Sequence, residues 1–483
     1  MNMVENARWD SSLSFILAMI GASVGLGNIW RFSYVLYSNG GGSFFIPYLI
    51  AIAIMGIPFL ILEYGIGFSF KDSFTNIFKK INPKFEFISW IIILIIFTIG
   101  VYYVVIIGWD LAYLFSSFTF SWGNDPALYF TKTIGGSSNL SNPISFLIPT
   151  TLCVVFVWFL AWLISHKNLN EGIAKFSKIA IPLLFVMMAG IIIYALTLQG
   201  AYIGIETLIK PDWNMLLNIN VWLAAFSQIL FSLSMGQAIV VTLASYLPED
   251  SKLIDNVFIV VISNSLFEIF TAFGVFSILG YMSFNSGIPM IQIISEGTGL
   301  IFVVFPNIFN IMGPIGHILA PLFFLVIFFA GMTSIIGMME PVINSVLHKF
   351  KMSRKKSVTI VCAIACMFSL IFTINIGSYL VGIVDEFANT FGILLFVAIQ
   401  CIIFGWIYDI KSLIPVLNEN SRIKVGKTWV IIIKYVLPIF IIIMWLMGVS
   451  NLLLNPELIN LIVYSIITVL ILTASGILYK IKS

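Results

Sequence analysis

An all-α membrane protein with twelve transmembrane helices is the fold class this sequence predicts, on three observations. Of its 483 residues, 60% are hydrophobic and 9% charged, where soluble domains average roughly 25% charged, and the mean hydropathy is +1.07. The apolar residues gather into runs long enough to cross a bilayer core, which takes ~20 residues of helix. Lysine and arginine concentrate in alternate loops between those runs. Composition excludes a water-soluble domain, a disordered chain and a nucleic-acid binder, which needs a basic face. The 24 basic and 21 acidic residues nearly cancel, so charge placement says more than charge total.

Twelve runs qualify and are numbered here as spans 1 to 12: residues 11–37, 41–70, 88–122, 145–165, 174–198, 219–246, 253–283, 315–347, 356–375, 378–408, 428–449 and 456–479. The longer ones imply tilt or projection into water. Glu5, Arg8 and Asp10 before span 1 are not the basic flank of a signal peptide, so that span is expected to stay. The run 287–312 is apolar but broken by Gly and Pro, and reads as a re-entrant or capping loop. The loops 123–144 and 199–218 read as solvated. Asp110 and Glu340 lie nearer span ends and also read as solvated.

With the N-terminus in the cytoplasm, the inner loops carry Lys71, Lys79, Lys80 and Lys84, then Lys167, Lys175 and Lys178. Next come Lys349, Lys351, Arg354, Lys355 and Lys356, and finally Lys411, Arg422, Lys424, Lys427 and Lys434. The outer loops keep Lys132 and Lys210. The expectation is a multi-pass protein of the cell membrane with both termini inside. Cys153, Cys362, Cys366 and Cys401 sit in apolar runs and read as small buried hydrophobes, not as a disulfide set or a metal site.

Two spans are interrupted by glycine. Span 1 holds Gly21-Ala-Ser-Val-Gly25-Leu-Gly27-Asn28, and span 6 holds Phe231-Ser-Leu-Ser234-Met-Gly236-Gln237. Each Gly costs about 1 kcal/mol in a helix, so the clusters suggest unwound backbone at mid-membrane. Such backbone must line a cavity or be buried in protein. Freed carbonyls there bind cations, and half-helix N-termini bind anions. The competing reading is a glycine face for helix packing. Position separates the two: breaks in spans 1 and 6 are the layout of two five-helix repeats of inverted topology. The expected units are 1–200 (spans 1–5), 201–408 (spans 6–10) and 409–483 (peripheral spans 11 and 12).

The opening Gly21 to Asn28, with Ile-Trp-Arg31-Phe, Asn39-Gly-Gly-Gly42 and Pro47-Tyr48 after it, resembles that of the neurotransmitter:sodium symporters. Further matches follow in family order through span 10: Gly56-Ile-Pro58 with Glu63, Tyr102-Tyr103, Gln228 to Gly236, Asn264 to Glu268, Ala330 to Ser334, and Asp385-Glu386. The fold implied is that of the bacterial leucine transporter, which has similar length and span number.

The resemblance implies two sodium sites built from oxygens, as a hard cation requires. Asn28, Ser232, Asn264 and the Ser23 carbonyl form the first, completed by the substrate carboxylate. The Gly21, Val24 and Ala330 carbonyls with the Thr333 and Ser334 hydroxyls form the second. The competing reading of Thr333 and Ser334 is back-bonding to their own helix. Where monoamine carriers of the family have Asp, this chain has Gly25, which leaves room for a substrate carboxylate at the half-helix N–H groups, including that of Gly27. Tyr103 then donates to the carboxylate, and Phe231 closes over the ligand. Ala22, Ile99, Ser232, Ser234, Gln237, Ser334 and Met338 line a mostly apolar pocket for a neutral amino acid.

Arg31 and Asp385 match the outer gate. Glu268 stands where chloride-independent members carry a carboxylate, among Tyr48, Gln228 and Ser232, so no chloride requirement is expected and Glu268 is a candidate proton carrier. Glu63 is expected to hydrogen-bond freed N–H groups of the second break. Gly172 and Pro182 look like an element whose unwinding admits water to the second sodium site; an ordinary proline kink is the alternative. The chain departs from the family before span 1, where Asn6 and Ala7 precede Arg8-Trp9, and after span 8, where His348 replaces the acidic partner. The inner gate must therefore differ, with Arg8, Asp10 and Tyr246 as candidates. The partners implied are an amino acid, sodium ions and the lipid bilayer, with no nucleic acid. Two alternatives remain: a proton- or other cation-coupled amine or amino-acid carrier of the same fold, and a membrane enzyme or non-transporting receptor. Against an enzyme, the sequence has no HExxH, P-loop or Ser–His pairing, and Gly25-x-Gly27 has no strand before it.

Overall fold

The computed structural model describes residues 8–137, 143–294, 297–454 and 457–481. Ten helices in it are apolar and long enough to cross a bilayer unaided: Gly41–Phe70, Phe85–Ser117, Ile148–Ser165, Asn170–Leu196, Leu253–Ser286, Gly313–Phe350, Arg354–Phe372, Gly377–Ile407, Lys427–Leu454 and Leu458–Lys480. They are spans 2 to 5 and 7 to 12. Spans 1 and 6 are each two shorter helices, Ser12–Ser23 with Leu26–Ser38 and Ile219–Ser232 with Ile239–Ser245. The total is the twelve expected. A broken helix leads each group of five, spans 1–5 and 6–10, as the inverted repeat requires.

Burial orders the bundle. Span 3 is 72% buried over its most apolar window, whereas spans 11 and 12 are 28% and 17% buried. Span 3 is therefore central, and spans 11 and 12 are peripheral. Leu458, Ile462, Ile466, Val469 and Leu470 of span 12 stay exposed, the face a helix presents to lipid. Glycine sets the closest approaches around span 3. A Cβ on Gly108 would lie 2.7 Å from Val154 Cγ2 of span 4, and one on Gly331 of span 8 would lie 2.8 Å from Ile107 Cγ1.

The segments expected as loops are more ordered than their composition suggests. Ala201–Ile209 is a helix lying on span 7, where Gly204 and Gly280 bring the two backbones together. Pro126–Tyr129 continues into the π-helical turn Phe130–Ile134. Within 287–312 the chain forms helices Met290–Ile293 and Phe305–Ile311. This segment caps spans 3 and 8: the Tyr113 hydroxyl donates to the Phe302 backbone carbonyl at 2.8 Å, and Phe305 stacks on Phe323 with ring centroids 4.3 Å apart. The capping role holds and the loop does not, because apolar side chains facing the bundle fix the backbone.

Span 5 is helical at Gly172 and Pro182 in this arrangement. Residues Asn170–Ala174 form a wider π-helical turn, and the helix runs on through Pro182.

Candidate functional site

Span 1 breaks at Val24 and Gly25, both extended (φ −77° and −121°). Its two halves meet at 68°. Span 6 breaks between Ser232 and Ile239 through three left-handed residues, Ser234, Gly236 and Ala238, with φ of 52°, 71° and 55°. For Ser and Ala such backbone is strained, so the second break is a built feature. The two breaks touch: the Ser234 hydroxyl donates to the Ala22 carbonyl at 3.0 Å. Buried between other spans, neither break faces lipid, and the packing-face reading fails.

Around the first break, two sets of oxygens converge. The Ser334 hydroxyl reaches from span 8 to the carbonyls of Gly21, at 3.2 Å, and Val24, at 3.5 Å. Thr333 stands beside Gly21, whose added Cβ would lie 3.0 Å from Thr333 Cβ. The Thr333 hydroxyl bonds the Phe329 and Ala330 carbonyls of its own helix, at 3.1 and 3.0 Å. The back-bonding alternative thus describes Thr333, while Ser334 crosses to span 1. These side chains and carbonyls bring Gly21, Val24, Ala330, Thr333 and Ser334 into one cluster. Ile181 of span 5 closes against Gly21.

The second set joins spans 1, 6 and 7. Asn28 Nδ2 donates to Asn264 Oδ1 at 2.9 Å, and Asn264 Nδ2 donates to Ser232 Oγ at 3.2 Å. The Gly25 N–H donates to Asn28 Oδ1 at 2.8 Å, tying the amide to the break. Ser23 Oγ is buried without a hydrogen-bond partner among the described residues. Glu268 lies behind this set, fully buried. It accepts from the Tyr48 hydroxyl at 2.5 Å, Gln228 Nε2 at 2.8 Å and Asn28 Nδ2 at 3.1 Å.

Span 3 supplies the wall. The Leu26 N–H, at the start of the second half of span 1, donates to the Tyr103 hydroxyl at 3.3 Å. A Cβ on Gly25 would stand 2.9 Å from Ser334 Oγ and 3.0 Å from Tyr103 Oη. Ile99 lies one turn before Tyr103, and Met338 one turn after Ser334. Both are buried, as are Ala22, Ser234 and Gln237. The Phe231 ring covers Gly27, where a Cβ would lie 2.6 Å from Phe231 Cε1.

Charge is arranged at both ends. The Arg31 guanidinium lies 4.7 Å from the Phe231 ring centroid and donates to Ser227 at 3.1 Å. Asp385 accepts from the Tyr102 hydroxyl at 2.6 Å and from Asn389 at 2.9 Å. Glu63 is buried, accepting from Gln400 at 3.3 Å; among the described hydrogen bonds none joins it to a freed N–H of the second break.

At the lysine-rich end, Glu340 is fully buried, not solvated. Arg354 of span 9 clasps both its oxygens at 2.7 and 2.8 Å, and the Tyr246 hydroxyl donates to it at 2.9 Å. Trp9 donates from its backbone to the Tyr246 carbonyl at 3.0 Å and from Nε1 to the Leu243 carbonyl at 2.9 Å. Asp10 pairs with Lys178 at 2.8 Å. The sequence candidates Asp10 and Tyr246 lie at this end, and Arg8 beside them is bonded through its carbonyl to Asn170; the Glu340–Arg354 pair was not anticipated. Sequence reasoning also missed the buried Lys349–Glu86 pair at 2.6 Å, with Lys79 at 3.1 Å from the same carboxylate. His348 faces Asp72 at 3.9 Å. Asn6 and Ala7 lie outside the described residues.

The sequence profile of the Sodium:neurotransmitter symporter family matches residues 6–142 and 124–478. An uncharacterised sodium-dependent transporter of Methanocaldococcus jannaschii is 38% identical over 457 residues, 94% of this chain and 92% of that protein. The sodium- and chloride-dependent GABA transporter 2 of Homo sapiens is 29% identical over 448 residues, 84% of this chain and 74% of that protein. The crystal structure of MhsT in complex with L-phenylalanine superposes with a TM-score of 0.78 at 30% identity, covering 92% of this chain and 99% of that one.

Proposed function

The chain belongs to the sodium:neurotransmitter symporter family and is a sodium-coupled secondary transporter, not an enzyme; from that premise we propose that it imports a neutral L-amino acid with a sizeable apolar side chain. The observation that carries the substrate class is Gly25. It leaves the N-terminus of a half-helix open beside the Tyr103 hydroxyl, where partial positive charge favours a carboxylate. The relative solved with L-phenylalanine supports the same class.

In this reading Asn28, Ser232, Asn264 and the Ser23 carbonyl hold one sodium ion. The substrate carboxylate completes that site, which couples ion to substrate. Gly21, Val24, Ala330, Thr333 and Ser334 hold a second ion, for which the Thr333 hydroxyl turns away from its own helix. The Leu26 and Gly27 N–H groups and Tyr103 hold the carboxylate. Ala22, Ile99, Ser234, Gln237 and Met338 surround the side chain, with Phe231 as the lid. Glu268 supplies a fixed negative charge behind the first ion, so chloride is not required.

The lysine-rich end faces the cytoplasm of a cell membrane, with both termini inside. The units are 1–200, 201–408 and 409–483. Transport proceeds by alternating access: Arg31 and Asp385 draw together to close the outer path, and Trp9, Tyr246, Glu340 and Arg354 separate to open the inner one. Ions and substrate shift these states only through their different affinity for each.

Uptake of labelled L-phenylalanine and L-leucine into proteoliposomes tests this. Concentrative uptake under an inward sodium gradient, abolished by potassium replacement, is expected. Uptake that is equal in the two salts, or that follows a proton gradient alone, overturns it.

A further inference from the structure

The segment ahead of span 1 is held from two sides. On one side the Trp9 N–H donates to the Tyr246 carbonyl at 3.0 Å and Trp9 Nε1 to the Leu243 carbonyl at 2.9 Å, so this buried side chain is fixed to the inner half of span 6. On the other side a single amide closes over the main chain. Asn170 Nδ2 donates to the Arg8 carbonyl at 3.0 Å, and Asn170 Oδ1 accepts from the Asp10 N–H at 3.1 Å. An extended residue points its own N–H one way and the flanking carbonyl and N–H the other, which is the pattern around Trp9. Lys178 adds an ion pair to Asp10 at 2.8 Å. Residues 8–10 therefore bridge span 5 and span 6.

Both grips on the span 5 side depend on the wide turn that opens that span. Asn170 is the first residue of the turn. Lys178 lies eight positions on, which in an unbroken α-helix would rotate it about 80° away from Asn170. The π-helical turn Asn170–Ala174 takes up one extra residue. The pair therefore stands as residues seven apart do, two turns along one face. A Cβ on Gly172 would lie 2.3 Å from the Ile164 carbonyl, so the turn is itself seated on the end of span 4. The Asp10–Lys178 pair is exposed enough for water to screen it, and the amide clamp on main chain carries more. Such a clamp needs neither the Arg8 guanidinium nor an acidic residue at His348, which faces Asp72 instead.

We propose that Asn170 is the positioning residue of an inner latch: its amide holds residues 8–10 across the gap between spans 5 and 6, and the inner end opens when the amide lets go. Lys178 is the secondary grip. The latch rests on the alternating-access reading and adds to it the contact that keeps the inner end shut on the side of span 5. The Glu340–Arg354 pair does so on the side of spans 8 and 9. Asn170 belongs to neither break, so it acts on which end is open and not on the ligand site. Removing it lowers the stability of the closed inner end alone, and the populations follow that difference.

Labelling of an added cysteine, on the full chain in proteoliposomes without substrate, tests it. Ser245→Cys reports on the inner end and Ala224→Cys, half-buried, on the outer half of span 6, each corrected for the four native cysteines. Asn170→Ala removes both clamp hydrogen bonds and should raise the Ser245→Cys rate about tenfold, with Ala224→Cys no faster. An unchanged inner rate overturns the proposal. So does an equal rise at both reporters, which is what general loosening of the fold produces. Should Asn170→Ala fail to fold, Lys178→Gln serves, because Lys178 is exposed; a rise of about threefold at the inner reporter alone is expected, and no rise overturns the proposal. Added sodium separates the latch from the reading beneath it. If sodium moves neither reporter in the wild-type background, alternating access fails and the latch with it. If sodium moves both reporters while Asn170→Ala leaves the inner rate unchanged, the latch alone fails.

Discussion

Replacing Gly25 with alanine perturbs the first break most directly. The new Cβ would stand 2.9 Å from Ser334 Oγ and 3.0 Å from Tyr103 Oη. Both neighbours are fixed: Ser334 spans the Gly21 and Val24 carbonyls, and Tyr103 accepts the Leu26 N–H. Neither is the loose end of a flexible chain, so both must retreat by a few tenths of an ångström. Gly25 has φ −121°, which alanine adopts freely, so the effect is steric and local. Overpacking of this kind costs about 1–3 kcal/mol. At 1.4 kcal/mol per tenfold, that is roughly a five- to hundredfold loss of affinity. The assay is equilibrium binding of labelled amino acid with sodium titrated against potassium. Both substrate affinity and the sodium midpoint should weaken. Gly190→Ala is the control, since a Cβ there meets nothing within 4 Å. If Gly25→Ala binds sodium and substrate like wild type, the ligand cluster around Gly25 is wrongly assigned.

Three further outcomes are expected. Glu268→Gln removes the carboxyl group that Tyr48, Gln228 and Asn28 surround, which the proposed reading makes a negative charge in place of chloride, so uptake should fall in chloride-free medium and recover when chloride is added; full uptake without chloride would contradict the role given to Glu268. Glu340→Gln leaves Arg354 in a buried cluster without its counter-charge, and breaking such a pair costs about 3–5 kcal/mol. A cysteine placed at Ser245 should then label faster from the lysine-rich side, and an unchanged rate would show that the cluster does not hold that end shut. Asp10 is held below the usual carboxylate range, first by the Lys178 hydrogen bond and then by Ser14. Its stabilising contribution is complete above the ordinary value of 3.8 and is lost only as pH falls through the lowered folded value. Asp10→Asn should therefore change thermal stability equally at pH 6 and pH 8, with the difference from wild type vanishing in strong acid.

The span count and the two breaks were legible because bilayer thickness and backbone satisfaction constrain sequence strongly. Glycines that neither keep one packing register nor sit at a span end announce unwound backbone, and Gly21 to Asn28 and Ser234 to Gln237 did so. The surroundings of Glu268 were legible through the family resemblance, since Tyr48 and Gln228 lie far from it in sequence. Asp110 and Glu340 were misread for one physical reason. Hydropathy locates a span but not its depth or rotation, and both residues lie on faces turned into the bundle. Arg354 could not be matched to Glu340 because its side chain reaches across from the neighbouring span. The helices at Ala201–Ile209 and Phe305–Ile311 were hidden by polar or glycine-rich flanks, although glycine is what allows the first of them to dock on span 7. Thr333 illustrates a limit of another sort: its hydroxyl satisfies its own helix here, so local hydrogen bonding and the family resemblance read it differently.

The most direct test is to offer the purified protein a panel of labelled neutral, acidic, basic and amine ligands in sodium, then in potassium. Saturable binding of an apolar amino acid in sodium alone, with amines lacking a carboxylate rejected, is the predicted result. Binding that survives potassium, or that selects an amine without a carboxylate, would contradict a site where the two breaks hold sodium against a substrate carboxylate.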